Sequence, residues 1–440
     1  MDVGLVTILL FSSLFILLLT GLPLAFCLGV VALIFTYFLW GSAAVMQVAS
    51  ACFGATLNII LIACPLFIFM ANVLQFSGLA DRLYDMIYTW SGRISGGLAM
   101  GTVFICAVFA AMSGISGAAT VSMGIIAIPS MLTRKYDKFL SVGCVAAGGA
   151  LGILIPPSIT MIVYASMTGV SVGQLFMAGV LPGMLLAGMF IVYIAVRCLI
   201  SPELGPPLPP EERRDWPEKF KSLGAVVLPL ILVLSVIGSI LLGLATPTEA
   251  AAVGAVGSLV CAALNRKLGW KSFIEASRKS LVLTCMIIWI VVTATAFSNI
   301  YTAVGAPDFL NGLLESLGVG RWSVLLMIQI TYFFLGMVMD PIGIVMITTP
   351  VYIPIIKALG FDPIWFGILF IINMEMAYLT PPFGYNLFYM RSIVPAEAMS
   401  MRDLYVSVLP FILIQAICLA TIMLLPTIAL WLPNLLEGGV

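Results

Sequence analysis

The sequence predicts an all-α polytopic membrane protein made of two inverted repeats, each with a re-entrant hairpin and a helix broken at a Pro-Pro pair. Three observations carry that expectation: a composition too apolar for a soluble core, apolar runs of spanning length, and a repeat at fixed offset that contains the prolines. Of the 440 residues, 62% are hydrophobic and 9% charged, whereas a soluble chain carries roughly 25% charged residues. Single soluble cores stop growing at about 250–300 residues. A bilayer core about 30 Å thick takes about 20 apolar residues per helix. The stretches 3–20, 22–40, 59–76, 176–196, 223–243, 280–298 and 405–425 meet that length.

The same composition excludes several functions. The formal net charge is +0 and no basic face is visible, so no nucleic-acid partner is expected. The chain has no His, which removes His-based triads, His metal sites and His proton relays. Its nine Cys sit mostly in apolar runs, among them Cys27, Cys64, Cys106 and Cys285, with no CxxC pair. Neither a metal cage nor a disulfide framework is expected, no cofactor is implied, and no enzyme activity is expected. The apolar run after Asp2 lacks a basic flank and a small-residue cleavage site. It reads as a first membrane helix rather than a removed signal peptide.

Loop charge sets the orientation. Basic residues cluster at Arg82 and Arg93, at Arg134, Lys135 and Lys138, at Arg213, Arg214, Lys219 and Lys221, and at Arg266, Lys267, Lys271, Arg278 and Lys279. The positive-inside rule places all four clusters in the cytoplasm. Three spans precede the first cluster, so both termini are expected on the periplasmic side. The segment 201–217 contains Pro202, Pro206, Pro207, Pro209, Pro210 and Pro217. It reads as a stiff connector that cannot be helical throughout. The stretches 79–90 and 265–279 mix charges with aromatics and read as helices lying on the membrane surface.

The repeat has an offset of 225 residues. Ile128-Pro129 matches Ile353-Pro354, Asp137 matches Asp362, Leu154 matches Leu379, Pro156-Pro157 matches Pro381-Pro382, and Tyr164 matches Tyr389. An odd number of crossings separates the copies, so the second is expected upside down. Inverted repeats are a transporter architecture with a binding site near the midplane. Two consecutive prolines remove two N–H donors and clash with the preceding turn, so each helix must open. Open backbone at membrane depth is tolerated where it lines a cavity or is buried in protein. Its freed carbonyls suit Na⁺, and the half-helix N-terminus that follows suits an anion. A kink without a ligand is the other reading.

Each copy also has an earlier polar interruption: Ser113-Gly114-Ile115-Ser116-Gly117, and Asp340-Pro341-Ile342-Gly343 with Thr348-Thr349-Pro350 after it. Their apolar flanks are short for spanning, so both read as re-entrant hairpins whose tips meet the Pro-Pro breaks. Close packing of small residues is the alternative for the first. A carboxylate such as Asp340 at mid-bilayer costs roughly 2.5–3.5 kcal/mol. Asp340 therefore faces a cation, donors or water, or caps the second half of its hairpin. Glu375 lies in an apolar span, and its role stays open. Thr246-Pro247-Thr248-Glu249 reads as a capping box with Pro at the first helical position.

These motifs resemble the large membrane subunit of tripartite ATP-independent periplasmic (TRAP) transporters. The matching stretches run from Pro65-Leu-Phe through Ser113-Gly-Ile-Ser116, Gly148-Gly-Ala-Leu-Gly-Ile-Leu-Ile-Pro-Pro-Ser158, Thr246-Pro-Thr-Glu249, Gly336-Met-Val-Met-Asp340-Pro and Thr349-Pro350. They end at Thr380-Pro-Pro-Phe-Gly384-Tyr-Asn386-Leu-Phe and cover nearly the whole chain. The resemblance implies a bacterial inner-membrane carrier with a scaffold and an elevator-type transport domain. It implies two partners, a small four-helix membrane subunit and a periplasmic substrate-binding protein. It also implies import of a small organic acid anion with Na⁺ as the coupling ion.

The resemblance divides the chain into N-terminal scaffold helices with a surface helix (1–95) and a first transport repeat (96–197; hairpin 96–133, broken helix 139–170). A connector with scaffold helices and a surface helix follows (198–320). The inverted repeat comes next (321–404; hairpin 321–356, broken helix 364–390), then a C-terminal helix (405–440). It places one sodium site at Gly336, Ala377, Thr380 and Phe383; the 225-residue offset nominates Gly152, Ile155 and Ser158 for the other, with Ser113 from the hairpin tip. Ser116, Ser298, Asp340 and Asn386 are the substrate-binding candidates. The sequence departs from many relatives at Ile115, Gly117, Asn373 and Glu375. It has no Arg in the apolar spans near 298–304, where sialic-acid carriers hold the substrate carboxylate, so a smaller oxo- or hydroxy-acid or another small anion is expected. Three rivals remain: a stand-alone Na⁺-coupled carboxylate carrier, an intramembrane enzyme limited to Ser or lone carboxylates, and an ion channel.

Overall fold

Helices form along the apolar runs, several of them with a proline inside, and many turns fall at glycines with positive φ. The computed structural model describes residues 3–316, 318–382, 384–395 and 399–437. The first group of helices is α1 (Val3–Leu19), α2 (Leu24–Trp40), α3 (Val45–Thr56), α4 (Ala63–Phe76) and α5 (Leu79–Ser91). Next come α6 (Gly97–Ser113), α7 (Ser116–Thr133), α8 (Lys138–Ala150), α9 (Ile159–Thr168) and α10 (Val172–Ile200). The central group is α11 (Trp216–Ser222), α12 (Gly224–Leu241), α13 (Pro247–Leu264), α14 (Trp270–Ala303) and α15 (Ala306–Ser316). Finally come α16 (Arg321–Gly336), α17 (Pro341–Ala358), α18 (Pro363–Leu379), α19 (Tyr385–Ile393), α20 (Met401–Leu424) and α21 (Thr427–Glu437). Eight helical stretches are long and apolar enough to cross a membrane, and no strand occurs among the described residues. Apolar side chains also cover the outside, with Leu19 87% and Phe38 80% exposed, as expected for a lipid-facing surface.

Three expectations need correction. The stretch 265–279 is not a separate surface helix, because α14 runs unbroken for 34 residues from Trp270. It contains neither Gly nor Pro, so nothing stops it. By contrast α5 is a separate helix, bounded by Gly78 and Gly92, both with positive φ. The segment 405–440 is not one helix: α20 starts at Met401, capped by Ser400 and Asp403, and α21 begins after Pro426. The span α13 and the short apolar helix α3 were absent from the expected set. Their Ala, Gly and Ser content lowers hydropathy without preventing helix formation.

The hairpins α6–α7 and α16–α17 turn at Gly114-Ile115 and at Met337–Asp340. Both Pro-Pro pairs sit between helices, at the α8–α9 and α18–α19 breaks, and both bonds are cis. The two broken helices run in opposite directions. The Tyr164 hydroxyl near the end of α9 donates to the Pro363 carbonyl at the start of α18, at 2.6 Å. Lys138 at the start of α8 pairs at 3.5 Å with Asp403, in the first turn of α20, the helix that follows α19. Aromatic packing fixes this arrangement: the Phe370 ring lies 4.8 Å from Tyr332 and 6.3 Å from Tyr164.

The connector is pinned, not loose. Gly96 N–H donates to the Gly205 carbonyl at 2.8 Å, and Asp137 N–H to Leu204 at 2.9 Å. The exposed Glu212 carboxylate accepts from the Tyr88 hydroxyl and from Arg134 Nε. Those donors, Tyr88 first and then the Arg134 charge, hold Glu212 below its ordinary range. At the start of α13, the Thr246 N–H donates to Glu249 at 2.8 Å and the Glu249 N–H to Thr246 Oγ1 at 3.3 Å. This closes the expected capping box.

Candidate functional site

The first hairpin tip sits against the first break. Gly114 adopts φ +63°, and its carbonyl accepts from Ile159 N–H at 3.5 Å. A Cβ on Gly114 would lie 2.4 Å from the Pro157 carbonyl oxygen. A Cβ on Gly152 would lie 2.9 Å from the backbone of Ile115 and Ser116. Glycine at both positions therefore lets two stretches of backbone touch. Ser158 caps α9, accepting from Met161 N–H at 3.4 Å and donating to the Ile153 carbonyl at 2.6 Å. Ser113 Oγ donates to the Ile115 carbonyl at 3.4 Å. Ile155 donates its N–H to the Leu151 carbonyl at 2.9 Å and touches α10, where a Cβ on Gly183 would lie 2.7 Å from its side chain. Ser113, Gly152, Ile155 and Ser158 thus lie around one tip-and-break junction.

The second junction is similar in plan. A Cβ on Gly336 would lie 2.5 Å from Ala377 Cβ, so α16 and α18 touch there. The Ala377 carbonyl accepts from Thr380 N–H at 3.0 Å, and Thr380 Oγ1 donates to the Met376 carbonyl at 2.8 Å. Each keeps lone pairs for a further partner. Phe383, the remaining residue nominated here, lies outside the described residues. Asp340 caps α17, accepting from Ile342 N–H at 3.0 Å. Its carboxylate lies within electrostatic reach of the hydroxyls of Tyr378, Tyr385 and Tyr389.

A direct bond joins the two units. Ser116 Oγ, on the first hairpin tip, donates to Asn386 Oδ1 in the second broken helix at 2.5 Å. Asn386 Nδ2 donates to the Ala146 carbonyl of α8 at 3.0 Å. Ser116 and Asn386 are both buried. A Cβ on Gly117 would lie 2.7 Å from the Tyr389 ring. Two substrate candidates, Ser116 and Asn386, therefore meet at the first turn of α19, with the Asp340 carboxylate within electrostatic reach of Tyr385 and Tyr389 of the same helix. Ser298 does not join them through any described contact. It lies on α14, where its carbonyl accepts from Thr302 and its neighbours Phe297 and Tyr301 pack on Phe11 of α1.

Four helices, α7, α9, α17 and α19, begin at the tips and breaks. Their N-termini carry partial positive charge, which suits an anion, although Ser158 and Asp340 already cap α9 and α17. Sequence reading missed Ala146 and Tyr389. The run Ala146-Ala-Gly-Gly-Ala150 held a signal, since only small residues let α8 approach this closely: a Cβ on Gly149 would lie 2.0 Å from Thr120 Oγ1. Arg391 stands apart from the junctions, donating to the Met399 carbonyl at 2.9 Å. Asn373 donates to the Gln329 side-chain oxygen at 2.9 Å, while both carboxylate oxygens of Glu375 are buried with no hydrogen-bond partner among the described residues.

Polytopic helices, opposed broken helices and hairpin tips docked on the breaks define a membrane protein of transporter type. The chain belongs to the tripartite ATP-independent periplasmic transporter family, DctM component, whose model matches residues 11–428. It is 34% identical to the C4-dicarboxylate TRAP transporter large permease protein DctM of Vibrio cholerae, with 95% of each chain covered. It is 31% identical to the ectoine TRAP transporter large permease protein TeaC of Halomonas elongata, covering 95% of this chain and 97% of that one. It is 30% identical to the sialic acid TRAP transporter large permease protein SiaM of Vibrio cholerae, covering 96% and 97%. Among solved structures, the Alcanivorax borkumensis YdaH transporter superposes with a TM-score of 0.58 over 89% of this chain and 90% of that one. At 14% identity that likeness is one of fold.

Proposed function

We propose that this chain is the carrier subunit of a Na⁺-driven importer for a small organic acid anion in a bacterial inner membrane, with both termini periplasmic. In this reading a periplasmic binding protein delivers the substrate, and a small four-helix membrane subunit completes the scaffold. The two hairpins and broken helices are inverted repeats that form a transport domain moving as an elevator against scaffold helices from 1–95 and 198–320. The observation that carries the reading is the Ser116–Asn386 bond, which joins the first hairpin tip to the second break. With Asp340 close by, it gathers polar groups and helix N-termini around one buried point. The names of related permeases support an organic solute: relatives at 33–35% identity are named for C4-dicarboxylates.

The two junctions suit Na⁺ in chemistry. Each offers a serine or threonine hydroxyl beside opened backbone, with Ser113, Gly152, Ile155 and Ser158 at one and Gly336, Ala377 and Thr380 at the other. Because Thr380 Oγ1 donates its proton to Met376, its oxygen lone pairs stay available to a cation. Thr380→Val is expected to raise the Na⁺ concentration for half-maximal uptake about tenfold, the loss of one charge-assisted ligand. Thr380→Ser is expected to restore it. The check is the Na⁺ dependence of initial uptake rates.

The reading as a whole is tested with labelled organic acids in proteoliposomes holding this chain and its small subunit, with and without the binding protein. Uptake that requires the binding protein supports the tripartite reading and names the acid. Uptake indifferent to the binding protein favours the stand-alone carrier.

A further inference from the structure

The N-terminal end of α14 forms one wall of an open groove of about 910 Å³, with Asn72 of α4 at its edge. The groove is chemically divided. Lys271, Arg278 and Lys279 bring positive charge, while Trp270, Ile274 and Val282 are apolar and largely exposed, Trp270 at 77% and Val282 at 62%. Only one carboxylate lines the groove, Glu275, and it already pairs with Lys279 at 3.5 Å. Lys271 and Arg278 have no ion-pair partner among the described residues. At 100° per residue, Lys271, Arg278 and Val282 fall on one stripe of α14. The stripe from Lys271 to Val282 is about 16 Å long at 1.5 Å per residue, close to half the thickness of a bilayer core.

We propose that this groove binds an anionic glycerophospholipid, with its phosphate held by Lys271 and Arg278 on either side of Ile274 and an acyl chain running on along Val282 and Leu283. Charge complementarity carries the assignment: two unpaired cations lie about 10 Å apart along one partly apolar stripe, beside a tryptophan of the kind that anchors at the interface. A zwitterionic lipid brings its own ammonium group and leaves those cations uncompensated. A partner helix would have to supply carboxylates at the same depth.

The test is native mass spectrometry of the full chain, purified with its small subunit from mixed phosphatidylglycerol and phosphatidylcholine. Wild type is expected to retain phosphatidylglycerol selectively. K271Q/R278Q is expected to lose that selectivity about thirtyfold, and K271R/R278K to keep it. Val282→Trp, which leaves both charges in place, is expected to expel the lipid by filling its floor. Equal retention of the two lipids by wild type would overturn the proposal, as would unchanged selectivity in K271Q/R278Q or equal loss in the charge-conserving variant. A photoreactive residue at position 274 is expected to label lipid. Labelling of the small subunit in its place would assign the groove to that partner and overturn the lipid reading.

Discussion

Asn386→Leu is expected to reduce substrate uptake about a hundredfold while leaving membrane insertion intact. Asn386 uses both ends of its amide, accepting from Ser116 at 2.5 Å and donating to the Ala146 carbonyl at 3.0 Å. Leucine has nearly the same volume but no polar atoms. It strands a buried hydroxyl and a buried carbonyl, at about 1–3 kcal/mol each. A loss of about 2.7 kcal/mol at the point that joins the two units corresponds to a hundredfold in rate. Ser116→Ala alone is expected to cost less, since it strands only one amide oxygen. The double variant is expected to be no worse than Asn386→Leu, because the bond is already gone. Initial uptake rates for the four proteins test this, with surface expression measured in parallel. Additive losses in the double variant would show that the two residues act independently.

Gly114→Ala is the second large effect. At φ +63° an alanine costs about 1–2 kcal/mol for the left-handed conformation alone. Its Cβ would also lie 2.4 Å from the Pro157 carbonyl oxygen, and backbone cannot swing away as a side chain can. The hairpin tip must lift from the break, and uptake is expected to fall below detection. Gly169 is the control. It has φ +74°, but a Cβ there meets nothing within 4 Å. Gly169→Ala therefore carries the conformational cost without the clash, and uptake is expected within about threefold of wild type. Equal loss in both variants would mean that conformation, and not tip-to-break contact, limits activity.

Much of this was legible because the local chemistry is strong. A Pro-Pro pair cannot continue a helix, so both breaks were visible from residue identity. Thr246-Pro-Thr-Glu249 announced its own cap. Helix α14 was harder, since charge at 271–279 reads as a surface segment while the absence of Gly and Pro keeps the helix going. The pairing of Ser116 with Asn386 spans 270 residues, and no local pattern encodes a contact that long-range packing creates. The Ala146 carbonyl is a backbone atom; its small-residue run signals close packing of α8 but not which polar group that carbonyl meets. Ser298, nominated as a polar residue in an apolar span, has its described hydrogen bond within α14, from Thr302 to its carbonyl.

We propose that a Na⁺ gradient drives transport by this chain through the two tip-and-break junctions. The most direct measurement is initial uptake of the transported acid into proteoliposomes with an inward Na⁺ gradient, compared with choline in place of Na⁺ at the same ionic strength. The account predicts accumulation above the external concentration with Na⁺, no accumulation with choline, and a rightward-shifted Na⁺ dependence for Thr380→Val. Equal uptake in Na⁺ and choline would contradict it and remove the cation role assigned to both junctions.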